Sequence, residues 1–306
     1  MSKSTIKSLA AIVTEALDFF ETTSPPYFDP NRFAFPLVVG SGNAYHTGKI
    51  LFTEQTAIYA NESDFDLNLK RYESLIKNGT LREAVVISAS GEKDSVYQVE
   101  AAQMAGLKTT LLTCSAKSGA AKIADQVKVY RKIAEPYTYN FSTYCGLILG
   151  AGGEKVAAIK KGLADLKIPK NFGKYKAYSF ILPNEFSGLV PMLDIKRHEL
   201  FGPKLSLRAF TFGEARHAKF VIRDPKELVI SFGANKFFGE PSSRWEIDLP
   251  KTVGYALMMS LTYYLVGQIQ ESHPDYFRQN IERFCQEDGP RAYGSKKPFT
   301  VIVPGN

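Results

Sequence analysis

Two α/β halves, each a parallel sheet covered by helices on both faces and the second one shortened, are the fold this sequence predicts. Three observations predict it. Short apolar runs alternate with helical spacings along most of the chain, the order that builds parallel sheets. The 306 residues are enough for two domains of ordinary size. The alternation also restarts after KIPKNFGKYK (residues 167–176), a stretch rich in Lys, Pro and Gly that reads as a linker.

The elements follow in order. Ile6, Leu9, Ile12, Val13, Ala16 and Leu17 recur on one helical face, and Glu15 and Asp18 break the apolar run, so this is a helix and not a signal peptide. TSPPYFDPNRFAFP is an irregular connection, and LVVG, ending at Gly40, is a buried strand. NAYHTGKILFTEQTAIYA (43–60) has helical spacing throughout. AVVIS is the second strand, SVYQVEAAQMAGL a helix stopped by Gly106, KTTLLTC the third strand, SGAAKIAD a helix and VKVYRKI the fourth strand. FSTYCGLILGAGGEKVAAIKKGLADL is helical, with a weak point at Gly152 and Gly153. Beyond the linker, AYSFIL is a strand, SGLVPMLDIKRHEL a helix, and LSLRAFTF and ELVISFG are strands. KTVGYALMMSLTYYLVGQIQ is a long apolar helix. The halves are 36–168 and 174–306, after an N-terminal helix and connection over 1–35. Too few residues separate Gly233 from Trp245 for a full copy, so the second half is expected to lack one βα unit and to have a degraded ligand pocket.

Composition narrows the function. Hydrophobic residues make up 44% and charged residues 23%, ordinary for a globular protein. The formal charge of +7 mildly favours anionic ligands. The lysines are spread along the chain without a basic run, so nucleic acid is not expected. Cys114, Cys145 and Cys285 lie far apart with no C-x-x-C, and no H-E-x-x-H or other metal spacing occurs; neither zinc nor another metal is expected, and the compartment is expected to be reducing, the cytoplasm. No stretch approaches the ~20 apolar residues that span a membrane.

Two loops carry chemistry. GSGNAYHTGK, Gly40 to Lys49, fails as a dinucleotide fingerprint because of Tyr45, and as a P-loop because of Asn43 and Ile50. A glycine-rich strand-to-helix turn remains, where Gly40 and Gly42 let backbone approach a ligand or simply make the turn tight. In SASGEKDS, hydroxyls crowd the exit of a buried strand at Ser88, Ser90 and Ser95, with Lys93 among them and a helix starting there. Ligands of open α/β sheets bind at such carboxyl ends, and a helix N-terminus with hydroxyl donors suits a phosphate. N-capping by Ser90 or Asp94 is the alternative reading of the same residues.

Together these loops resemble the SIS (sugar isomerase) family of phosphosugar-binding domains. FSTY, Phe141 to Tyr144, falls where family members carry a Ser-Thr pair at a helix start. The resemblance covers nearly the whole chain as two SIS domains and implies flavodoxin-like three-layer halves. It implies substrate contacts at Gly42, Asn43, Ser88, Ser90, Lys93, Ser95, Ser142 and Thr143. The chain departs from the pattern at Ala44, where many members have a hydroxyl, and at Lys93, where threonine is common.

The segment KRHELFGPKLSLRAFTFGEARHAKF is similar to that of double-SIS isomerases in which a helical glutamate, a strand and an E-x-x-H stretch supply the chemistry. The resemblance implies Glu199 as the proton-transfer base and His217 as the ring-opening acid/base, with Glu214 the rival base. DGPRAYGSKKPFTV resembles the tail of sugar-phosphate isomerising members, where a Pro-Arg pair, here Pro290 and Arg291, precedes a reaching lysine. That lysine is Lys296, with Lys297 the alternative.

The chemistry needs these residue types. Histidine titrates near neutrality and suits ring opening. A partly desolvated carboxylate can take and return a carbon-bound proton, and a lysine can stabilise the enediolate oxygen. The substrate class implied is a sugar or amino-sugar 6-phosphate, or a sugar-amine adduct, processed by isomerisation, deamination or deglycation with no cofactor. The family's glutamine-dependent synthases need a glutaminase domain that residues 1–35 are not expected to supply. A non-catalytic phosphosugar-binding regulator is the alternative. The apolar helix Tyr255 to Ile269 suggests a homodimer interface, as in SIS enzymes that complete their sites across a two-fold axis.

Overall fold

The computed structural model describes residues 6–306; the first five residues of the predicted 1–35 segment lie outside the described residues. The chain divides into two compact units. The N-terminal unit comprises Phe20–Lys132, Ser142–Gly153 and Asn306, and the C-terminal unit comprises the stretch up to Phe19, Ile133–Phe141 and Glu154–Gly305. The first helix, α1 (Leu9–Thr22), buries Leu9, Ile12, Val13, Ala16 and Leu17, the face its spacing predicts.

The N-terminal unit runs β1 (Leu37–Gly40), α2 (Asn43–Leu51), β2 (Ile58–Ala60), α3 (Phe65–Arg71), α4 (Glu73–Lys77), β3 (Glu83–Ile87), α5 (Asp94–Met104), β4 (Lys108–Thr113), α6 (Gly119–Ile123) and β5 (Gln126–Val129). Its strands pair in the order β2-β1-β3-β4-β5, every pair parallel. Val39, Ala84, Val86 and Leu111 pack with Phe65, Val99 and Ala102 into one core layer, which is why the strand runs are continuously apolar. One expectation is corrected: residues 43–60 are not a single helix. The helix stops at Leu51, and Ile58–Ala60 is an edge strand on β1. A three-residue strand is too short to show a period of two, so its apolar residues read as more helix.

Next come β6 (Glu135–Pro136), α7 (Phe141–Gly152) and α8 (Val156–Ala164). Gly153, at φ +66, separates the two helices at the weak point of the sequence. The C-terminal unit continues with β7 (Ala177–Leu182), α9 (Val190–Leu200), β8 (Ser206–Thr211), α10 (Phe212–Ala218), β9 (Glu227–Phe232), β10 (Arg244–Ile247), α11 (Tyr255–Ser272), α12 (Tyr276–Arg283), α13 (Gly289–Ala292) and β11 (Ile302–Val303). A π-helical turn, Phe284–Asp288, joins α12 to α13.

The second sheet is also parallel, in the order β10-β9-β7-β8. From its other edge, β8-β7-β9-β10 repeats β2-β1-β3-β4 without a fifth strand. Only a short 3₁₀ turn, Pro241–Ser243, lies between β9 and β10. The second half is thus shortened as expected, although β10 itself gave no sequence signal. A small antiparallel pair joins β11 to β6.

The reason given for an interface on α11 is overturned. Leu257, Met258, Met259, Leu261, Leu265, Val266 and Ile269 are buried, and the helix packs against α8 and α9. Each such side chain contributes ~1.5–3 kcal/mol of burial. Glu154 caps this helix, its carboxylate accepting from the N–H groups of Gly254 (3.1 Å), Ala256 (2.7 Å) and Leu257 (3.0 Å). Among the described residues no helix is long and apolar enough to cross a membrane.

Candidate functional site

In the N-terminal unit the strand order 2-1-3-4-5 places its topological switch between β1 and β3, where ligands of this sheet type bind. Gly40 pairs with Ile87 across that switch, so the loops leaving the two strands are neighbours. A side chain at Gly40 would come within 2.7 Å of the Ala44 and Tyr45 backbone, so glycine lets the turn close. Gly42, at φ +54, caps α2, and a Cβ there would meet open space. Asn43 is buried, and its Oδ1 has no hydrogen-bond partner among the described residues.

The second loop is internally braced. Ser88 Oγ accepts from Gly91 N–H at 3.1 Å, and Ser90 Oγ accepts from Glu92 N–H at 3.3 Å. Gly91, at φ +65, sits so close to Ser118 that any Cβ would lie 2.1 Å from its Oγ. Ser95 is buried and donates to the Glu92 carbonyl at 2.8 Å, so it holds the loop from inside. Lys93 takes a left-handed φ of +59 at the N-cap of α5, and burial lowers its pKa.

Capping by Ser90 or Asp94 is not what the hydroxyls do: neither α5 nor α2 has a side-chain cap. Ser118 caps α6, by contrast, and Asp275 caps α12. Backbone carbonyls take part of that place: Ala44 N–H donates to the Ser41 carbonyl at 3.1 Å in α2, and in α5 Ser95 N–H donates to Glu92 at 3.4 Å and Val96 N–H to Lys93 at 3.2 Å. Ser142 and Thr143 are fully buried in the first turn of α7, Thr143 Oγ1 lying 3.9 Å from Cys114 Sγ.

The C-terminal unit holds the second group of residues. Lys196 and Glu199 lie three apart on α9 and share a face. Lys196 is wholly buried; its ammonium donates to the Glu199 carboxylate and, at 2.5 Å, to the carbonyl of Thr138, and stands 5.7 Å from the Tyr263 ring centroid. Burial raises the Glu199 pKa, against the opposing pull of Lys196. The Tyr137 phenol is pushed up to about 12 by burial, then by Tyr293, Cys285 and Glu199, so these groups are electrostatic neighbours. Burial takes the Cys285 thiol up to about 11.

The tail is part of this group. Phe299 stacks on Tyr137 at 5.3 Å and meets Tyr293 at 5.9 Å, and its N–H donates to the Cys285 carbonyl at 2.7 Å. Lys296 and Lys297 lie exposed on the turn between those two aromatic anchors. His217 is exposed on α10. Glu214 is engaged in a capping box with Thr211: its carboxylate accepts from Thr211 N–H at 2.7 Å, while Thr211 Oγ1 accepts from Glu214 N–H at 3.1 Å. His198 is exposed beside Asp194. The structure therefore groups Glu199 with the tail that carries the lysines, and ties Glu214 to a helix start. Among the described residues no three His, Cys, Asp or Glu side chains gather to hold a metal ion.

Sequence reasoning missed Lys196, Tyr137 and Thr138. The K-x-x-E spacing of Lys196 and Glu199 was visible as a helical pair. Tyr137 and Thr138 had no local signal, since their position depends on the pairing of β6 with the distant β11.

No protein-family model matches the sequence, and no curated protein matches it. Solved structures do share its fold. A glucosamine-6-phosphate deaminase of Thermotoga maritima matches with a TM-score of 0.52 at 13% identity, over 86% of this chain and 92% of that one. The C-terminal domain of the glucosamine-fructose-6-phosphate aminotransferase of Francisella tularensis gives 0.55 at 11%, over 89% and 98%. The tagatose-6-phosphate ketose/aldose isomerase of Escherichia coli gives 0.53 at 13%, over 86% and 88%.

Proposed function

We propose that this chain, which has the double-SIS fold, is an enzyme that moves a proton between C1 and C2 of a sugar or amino-sugar 6-phosphate, by isomerisation, deamination or deglycation. The observation that carries the reading is the pair made by the buried Lys196 ammonium and the partly buried Glu199 carboxylate. A carboxylate raised by burial yet held by an ammonium is poised to take a carbon-bound proton and give it back. The tail beside it supplies Lys296 to stabilise the developing enediolate oxygen. Within the N-terminal unit, phosphate binding is assigned to Ser88, Ser90 and Lys93 at the start of α5, a helix with no side-chain cap.

His217 is assigned to ring opening. Its exposure fits delivery to a second copy of the chain, and we assign a homodimer interface to the apolar surface nearby. Val221 is 84% exposed, Ile222 85% and Phe237 71%, an apolar group that a lone globule rarely leaves in water. Phe237→Asp is expected to yield a monomer by sedimentation while leaving the thermal midpoint of phosphosugar-free protein within ~2 °C. A wild-type mass of one chain would remove the dimer from the account.

The experiment for the function is a panel of phosphorylated hexoses, hexosamines and fructosyl-amino acids, read by thermal shift and product analysis. Turnover of one class names the reaction. Stabilisation with no turnover by any class would favour the non-catalytic regulator.

A further inference from the structure

The backbone between β6 and α7 is strained where it meets the Lys196–Glu199 pair. Thr138 has φ +78 and Asn140 φ +51, with no glycine in the loop. A β-branched residue in the left-handed region persists only where its surroundings over-determine it. Here they do. Tyr137 N–H donates to the Val301 carbonyl at 2.7 Å, Tyr139 N–H to Pro136 at 3.1 Å, and Phe141 N–H to the Glu135 carboxylate at 2.8 Å. The Tyr139 hydroxyl donates to the Lys7 carbonyl at 3.0 Å.

The loop presents two oxygens. The Thr138 carbonyl accepts from Lys196 at 2.5 Å. The Thr138 hydroxyl is sealed from solvent and has no hydrogen-bond partner among the described residues. A buried hydroxyl without a partner is unfavourable, and valine would fill the same shape without it. Strain and an unmet hydroxyl coincide on the one residue whose carbonyl holds the buried ammonium.

We propose that the Thr138 hydroxyl contacts substrate, donating a hydrogen bond to O1 of the open-chain sugar while Glu199 works on the neighbouring carbon. The step balances. Glu199 takes the C2 proton, the C–H electron pair becomes the C1–C2 double bond, and the carbonyl π pair moves onto O1 as an oxyanion. Thr138 stabilises that charge together with Lys296. The O2 proton then passes to O1, and Glu199 returns its proton to C1 as the O2 carbonyl forms. The inference rests on reading Glu199 as the base.

The test uses the full chain with glucose 6-phosphate, fructose 6-phosphate and glucosamine 6-phosphate in deuterated water, following solvent-hydrogen exchange on the sugar by NMR. Thr138→Val is expected to cut exchange ~10²-fold with KM nearly unchanged, while its melting temperature holds or rises. Thr138→Ser keeps the hydroxyl and most of the rate. Thr138→Gly relieves the backbone strain and is expected to be at least as stable as wild type yet as slow as the valine variant. Wild-type exchange in the valine and glycine variants would overturn the inference while leaving Glu199 as the base. So would a rate loss that tracks lost stability. If the wild-type chain exchanges none of the three sugars, the base reading itself falls and this inference with it.

Discussion

The chain leaves the third strand of its two sheets in different ways. After β3 it turns through Ser88–Ser95 and enters α5, an eleven-residue helix with no side-chain cap. After β9, the matching strand, no such helix follows. Asn235 ties the turn to itself, its Oδ1 accepting from Phe237 N–H (3.2 Å) and Phe238 N–H (2.9 Å) and its Nδ2 donating to the Phe238 carbonyl at 3.0 Å. One exit runs into a helix through serine hydroxyls, and the other closes on the Asn235 amide. In the C-terminal unit, α9 carries a charged pair instead, a buried Lys196 joined to a partly buried Glu199. A repeated fold thus has a serine-rich turn into an uncapped helix in one copy and a Lys–Glu pair on α9 in the other.

Perturbing the two exits should separate them. Ser88→Ala with Ser90→Ala is expected to weaken phosphosugar binding by ~3–6 kcal/mol, since each hydrogen bond to a charged group contributes ~1.5–3 kcal/mol. Titration calorimetry checks this, and an equal loss for the unphosphorylated sugar would remove the phosphate from the account. Lys196→Met should destabilise the fold by ~1–3 kcal/mol at neutral pH, because it removes the ammonium that pairs with the partly buried Glu199 carboxylate.

That loss depends on pH. The Glu199 pKa is raised, so its protonated form is favoured in the folded state. Its stability contribution is present below the ordinary value of 4.5 and is lost as pH rises through the raised value. The melting-temperature gap between Lys196→Met and wild type should therefore shrink on acidification, whereas Glu199→Gln should remove this pH dependence. Asn235→Ala should cost ~1–3 kcal/mol of stability from the orphaned amides, with phosphosugar affinity unchanged. Thr211→Ala, which breaks the capping box around Glu214, should cost ~1 kcal/mol and leave turnover nearly intact.

The sequence announced the elements whose signal is local. Continuous apolar runs marked β1, β3, β4, β7 and β9, and Gly152–Gly153 marked the break between α7 and α8. The missing βα unit was legible from the short span between Gly233 and Trp245. Ile58–Ala60 and Arg244–Ile247 were not legible, because edge strands this short gain their identity from the neighbour they pair with. Among the candidate residues, Ser88 and Ser90 stood out by their motif, and Glu199 by the family resemblance. Ser95 could not be assigned its inward role, since a hydroxyl's direction is set by the fold of its loop. Thr138 was invisible, for its value lies in a left-handed backbone imposed by partners as distant as Val301.

The central claim is that Glu199 does the chemistry, and a paired exchange experiment tests it most directly. Glu199→Gln and Glu214→Gln are compared for exchange of the C2 hydrogen of a bound sugar phosphate with deuterated water. The account predicts that the Glu199 variant loses exchange by ~10²–10⁴-fold while binding phosphosugar normally, and that the Glu214 variant exchanges at close to the wild-type rate. Near-normal exchange by Glu199→Gln together with loss in Glu214→Gln would contradict it and move the base to α10.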